Sequence, residues 1–173
     1  MHSFEKNGMH IHYREEGDPN GAPLVFSNSL GTDIRLWDQI MPLLPKGLRI
    51  IRYDMRGHGL TDCPNAPYSM GALISDAESL LDYLEVRDCL FVGLSIGGMV
   101  AQGLATKRLD LIRAMVLSNT AAKIATPAIW QDRIDSIRAE GIGPVSDATM
   151  SRWFSPKMYN TPAMSSWQNM LCA

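Results

Sequence analysis

The sequence predicts an α/β fold, a mostly parallel sheet with helices on both faces, and three observations carry that prediction. Short apolar runs bounded by turn residues alternate with amphipathic stretches of about ten residues or more, the length that crossover connections between parallel strands require. An Asn-Gly dipeptide near the start, between two alternating segments, adds an N-terminal hairpin. Beyond about Ala125 the strand signal stops and only helical periodicity continues, which reads as the start of a helical cap.

Taken in order, Ser3 to Lys6 and Met9 to Arg14 flank Asn7-Gly8, whose tolerance of positive φ suits a tight turn. After the turn-rich stretch Gly17 to Pro23, Leu24-Val25-Phe26 reads as a buried strand, and Ile34 to Leu43 carries apolar residues at helical spacing. Arg49 to Tyr53 forms the next strand. A glycine-rich loop follows, and then Met70, Leu73, Ile74, Ala77, Leu80, Leu81 and Leu84 line one face of a long helix. Cys89 to Val92 with Ile96 to Arg108 repeats the unit, and Ala114 to Ser118 supplies a further strand. Past it, Trp130, Ile134 and Ile137 share a helical face, with Gly141, Gly143 and Pro144 as breakers. The expected division is residues 1–125 as the N-terminal part of the core and 126–173 as an incomplete cap.

With 173 residues, 46% hydrophobic and 20% charged, the chain can bury one packed core. A net charge of −2 gives no broad electrostatic reason to expect nucleic acid or an anionic membrane as partner, which leaves a small molecule. No segment reaches the roughly 20 apolar residues that span a bilayer, and Met1 to His10 has no apolar stretch of signal-peptide length. The expected location is cytoplasmic. Cys63, Cys89 and Cys172 are odd in number and widely spaced, as expected of ordinary reduced thiols. Nothing in the sequence sets the oligomeric state.

The chemistry concentrates in Phe91-Val92-Gly93-Leu94-Ser95-Ile96-Gly97-Gly98. A bare Gly-x-Ser-x-Gly match arises by chance in roughly one chain in fifteen to twenty of this size, so its context decides. Here it lies between a buried strand and a helix, the setting of a nucleophile elbow, and the glycines lack the Cβ atoms that would clash in so sharp a bend. A serine that merely caps the helix would explain Ser95 but not both glycines. The N–H of Ile96, at the helix start, has no intrahelical partner and can face a developing oxyanion. Leu30, in the small polar loop Ser27-Asn28-Ser29-Leu30-Gly31, is the candidate for the second donor; a simple turn is the alternative there.

A serine hydroxyl needs a base. His58, between two glycines, reads instead as a loop residue bonded to backbone, and His2, His10 and His12, in or beside the hairpin, are expected to be exposed.

Asp54-Met55-Arg56-Gly57-His58-Gly59 together with the Ser95 element resembles the α/β-hydrolase superfamily. Ser27 to Asp33, Asn119-Thr120-Ala121-Ala122-Lys123-Ile124 and Arg152-Trp153-Phe154-Ser155-Pro156 are similar to the 3-oxoadipate enol-lactonases of bacterial aromatic degradation. Asn28-Ser29 stands where many members of the superfamily have His-Gly, a departure shared with the lactonases, and Thr61 replaces a common Ser. The resemblance implies a serine acyl-enzyme hydrolysis of the enol-lactone to 3-oxoadipate in the β-ketoadipate branch, with no metal or organic cofactor. It also implies that the acid and the His lie on later strands, so the chain is expected to be a fragment lacking both, and poorly folded or inactive alone.

The substrate carboxylate calls for an arginine fork, for which Arg133 is the candidate, with Trp130 and Trp153 as pocket walls. A solvated helix face and ordinary aromatic packing are the plainer readings of these three. Rival functions are another hydrolase of the same fold, such as a general carboxylesterase, a C–C hydrolase or a cofactor-free peroxidase, and a non-catalytic binding protein.

Overall fold

The computed structural model describes residues 2–159 and 161–172. The chain forms two compact units, one running to Ala122 and one from Lys123.

The first unit opens with β1 (His2–Lys6) and β2 (Met9–Gly17), antiparallel, with Lys6 opposite Met9. Asn7 and Gly8 take φ of 51° and 78°, so both residues of the turn are left-handed, as a two-residue hairpin twisting with its strands demands. β3 (Ala22–Ser27), β4 (Leu48–Tyr53), β5 (Cys89–Leu94) and β6 (Ile112–Ser118) complete a sheet of order β1-β2-β4-β3-β5-β6. β2 meets β4 antiparallel; β4–β3, β3–β5 and β5–β6 are parallel.

Side chains alternate across this sheet with period two. Val25, Ile51, Tyr53 and Phe91 point to one face, where α1 (Met70–Tyr83) contributes Ala77, Leu80 and Leu81, and α2 (Ile96–Lys107) contributes Val100, Ala101 and Leu104. Leu24, Phe26 and Ile50 point to the other, around Trp37. Each fully buried Leu, Ile, Val or Phe stabilises the fold by about 1.5–3 kcal/mol relative to exposure.

The helix expected over Ile34 to Leu43 does not form. Two 3₁₀ turns, Ile34–Trp37 and Met41–Leu43, stand in its place. Pro42 lacks an N–H and crowds the helical conformation of Met41, so one continuous α-helix is excluded. The apolar spacing still marks the buried side, because Leu36, Ile40, Met41 and Leu44 pack against the Trp37 cluster.

β6 is unusual for a parallel strand. Arg113 to Leu117 are exposed throughout, including Val116 at 57%, and among the described residues β6 pairs only with β5.

The second unit holds α3 (Pro127–Glu140), α4 (Gly143–Trp153) and α5 (Pro162–Cys172). Thr126 caps α3, with Pro127 in its first turn, and Gly141 ends it at φ 79°. Gly143 and Pro144, read as breakers, open α4, where proline's missing N–H has no partner to lose. Met150, Met164 and Leu171 form a small core with Phe154, Met158 and Trp167 around it. Among the described residues no helix is long and apolar enough to cross a membrane. All three cysteines are free, and burial pushes the Cys89 thiol up to about 12.

Candidate active site

β5 ends at Leu94, α2 begins at Ile96, and Ser95 makes the bend between them at φ 56°, ψ −118°. A non-glycine residue held there costs about 1–3 kcal/mol, so its surroundings must grip it. The Ser95 N–H donates to Ser118 O at 2.9 Å; its carbonyl accepts from Gly98 N at 2.9 Å and from Thr120 Oγ1 at 2.6 Å. The glycines close the bend. A Cβ on Gly93 would lie 2.4 Å from Gly97 O, one on Gly97 2.2 Å from Ser27 O, and one on Gly98 2.6 Å from the Thr120 methyl carbon. Ser95 makes no capping bond to α2, so its hydroxyl is not consumed by the helix it precedes.

Ile96 is the first residue of α2, and its N–H stands outside the intrahelical ladder at the positive end of the helix dipole. The loop after β3 starts against the same bend, since a Gly97 Cβ would also lie 2.7 Å from Asn28 O. That loop is built on buried polar contacts. Ser27 Oγ and Tyr53 OH are 2.9 Å apart, Asn28 Nδ2 donates to Tyr53 O at 3.0 Å, and Trp37 Nε1 donates to Asn28 Oδ1 at 2.6 Å. Burial raises the Tyr53 pKa, which keeps the phenol neutral. Thr32 donates through both N–H and Oγ1 to Ser29 O, at 3.1 and 2.8 Å, closing a turn with half-buried Leu30 inside it.

Two histidines line the neighbouring loops. His58 Nε2 accepts from Gly31 N at 2.9 Å, and His58 Nδ1 sits 3.0 Å from Arg56 O, so both ring nitrogens are engaged with backbone. His12, expected at the surface, is buried at 4% exposure; its Nδ1 lies 2.7 Å from Asp54 Oδ2, and its Nε2 has no partner. The reason is Asp54, 1% exposed, which also accepts from Ile34 N at 2.8 Å and Leu60 N at 3.1 Å and so draws the loops after β3 and β4 over that end of β2. His2 and His10 are exposed. Among the described residues no three His, Cys, Asp or Glu side chains converge on a metal site.

In the second unit, Trp130 and Arg133 come together, with the guanidinium carbon 5.9 Å from the indole centroid and Trp130 Nε1 donating to Ile124 O at 2.9 Å. Burial, then the nearby charge of Arg152, lowers the Arg133 pKa, and Arg133 forms no salt bridge among the described residues. Trp153, at the end of α4, is 36% exposed.

Sequence reasoning quoted Thr120 and Asn28 only within longer motifs and gave neither a contact; it expected His58 to bond backbone, as it does, without naming Gly31 as the partner. The one local signal was the second glycine of the Gly97-Gly98 pair, whose missing Cβ makes room for Thr120.

Residues 22–140 match the α/β-hydrolase fold family. Among curated relatives, 3-oxoadipate enol-lactonase 2 of Acinetobacter baylyi is 36% identical over 84% of this chain and 55% of its own length. 3-Oxoadipate enol-lactonase 1 of the same organism is 33% identical over 88% and 57%. The chain therefore spans a little over half the length of these relatives. The crystal structure of an enol-lactonase from Burkholderia xenovorans superposes with a TM-score of 0.92 at 36% identity, over 98% of this chain and 67% of that one. A hydrolase from Pseudomonas aeruginosa gives 0.94 at 36%, over 99% and 66%. The chain belongs to the α/β-hydrolase family.

Proposed function

We propose that the protein hydrolyses a carboxylic ester bond through a serine acyl-enzyme, with 3-oxoadipate enol-lactone as substrate and 3-oxoadipate as product. The observation that carries the reading is Ser95 itself: a non-glycine residue at φ 56° on a strand-to-helix bend whose flanking glycines have no room for a Cβ. Folding stability gains nothing from such strain, so a serine is kept there for its hydroxyl. The two relatives named as enol-lactonases support the choice of substrate.

In this reading Ser95 Oγ attacks the lactone carbonyl, and the N–H groups of Leu30 and Ile96 hold the oxyanion. The ring ester bond breaks; the leaving enolate becomes a ketone on tautomerisation, and water hydrolyses the acyl-enzyme. No histidine follows Ser95 in these 173 residues, and the proposal assigns the base to none of the four that precede it. No metal or organic cofactor is required for this chemistry. The helices of residues 126–173 are proposed as a cap in which Arg133 takes the substrate carboxylate, with Trp130 and Trp153 as apolar walls. An anion beside Arg133 would offset both its burial and the charge of Arg152.

The test uses the protein as its gene encodes it. A serine-directed fluorophosphonate is expected to label Ser95, identified by peptide mass, and Ser95→Ala is expected to abolish labelling and lactone turnover. A folded wild-type protein that stays unlabelled would favour a binding role. Turnover of simple aryl esters with none of the enol-lactone would leave Ser95 in place and overturn the substrate.

A further inference from the structure

We infer that His58 is a positioning residue for the oxyanion loop, holding the peptide planes around Leu30 so that the Leu30 N–H is aimed before substrate arrives. The inference rests on the proposed role of Leu30 as an oxyanion donor. It begins with the imidazole. Arg56 O can only accept, so the proton is on Nδ1, 3.0 Å away, and Nε2 carries the lone pair that receives Gly31 N–H at 2.9 Å. Two backbone groups thereby dictate the tautomer, and neither nitrogen is left for acid–base work.

The geometry of the turn gives this bond its consequence. A peptide unit is planar, so the Ser29 carbonyl and the Leu30 N–H move as one body, as do the Leu30 carbonyl and the Gly31 N–H. The first plane is held from within the turn, by the Thr32 N–H and Oγ1 on Ser29 O. The second is held from outside it, by His58. Gly31 has a φ of 78° and, lacking a Cβ, would otherwise rotate freely. His58 sits on a stiff support, because its N–H donates to Met55 O at 3.0 Å and its carbonyl accepts from Thr61 N at 3.1 Å. With both planes fixed, Leu30 has no remaining soft torsion through which its N–H could swing away. Preorganised donors act because they need no rearrangement as charge develops.

Two substitutions separate the two ends of the ring. His58→Asn keeps a donor for Arg56 O but cannot reach Gly31, whereas His58→Gln places a carboxamide oxygen where Nε2 was. In the protein as encoded, His58→Asn is expected to slow phosphonylation of Ser95 and to lower kcat by about 10- to 100-fold, with KM within about twofold. The Gly31 amide is expected to exchange with solvent at least about tenfold faster, while β3 and β5 amides exchange as before. His58→Gln is expected to recover most of the labelling rate. Labelling by His58→Asn within twofold of wild type, or unchanged exchange at Gly31, would overturn the inference. Wild-type protein that resists phosphonylation overturns the hydrolase reading instead, and unchanged Gly31 exchange in His58→Asn would still sink the anchor.

Discussion

α1 and α3 are each 14 residues long and each shows apolar residues at helical spacing, yet the first buries Leu73, Asp76, Ala77, Leu80 and Leu81 and the second buries nothing. In α1 the stripe meets a sheet face already lined by Val25, Ile51 and Phe91. In α3, Ile129 and Ile134 remain 57% and 41% exposed. Periodicity therefore reports that a helix has a face to offer; whether burial follows depends on a matching surface. The second unit draws its cohesion from α4 and α5, through Met150, Met164 and Leu171.

Substitutions can break or sharpen this contrast. The largest effect is expected from Leu80→Ala, which empties a site of 0% exposure between sheet and helix and should lower unfolding free energy by about 3 kcal/mol in urea titration. A loss below about 1 kcal/mol would mean that α1 is not packed as described. Ser95→Gly should act in the opposite direction. It relieves the strain at φ 56°, less the chain entropy of a glycine, so stability should rise by about 1 kcal/mol while labelling disappears. Smallest is Ile134→Ala, expected to change the unfolding free energy by no more than about 0.5 kcal/mol because its side chain is already 41% exposed. A shift as large as that of Leu80→Ala would erase the distinction between the helices.

The legible parts of the molecule were those with a local signature. Asn7-Gly8 announces its turn because few other residues accept two left-handed positions, and the stripe from Met70 to Leu84 repeats often enough to leave one answer. The Ser95 bend was legible for the same reason, since its constraints fall on residues two positions away. Ile34 to Leu43 was misread because a single Pro42 outweighs a correct apolar spacing. His12 was misplaced because Asp54, which draws it inward, is 42 residues distant. The His58 to Gly31 bond spans 27 residues and repeats no pattern, so only a fold can reveal it.

The hold on Ser95 also has a consequence in time. Its carbonyl is seized by Thr120, 25 residues further along, and its amide by Ser118. A nascent chain leaves the ribosome with the serine first and those partners about one to five seconds later at ordinary elongation rates. Until they emerge, nothing opposes relaxation of the segment into an unstrained conformation. The strained backbone geometry at Ser95 is therefore completed only after the strand that follows it has been translated, so the bend written by local glycines is held by sequence made later.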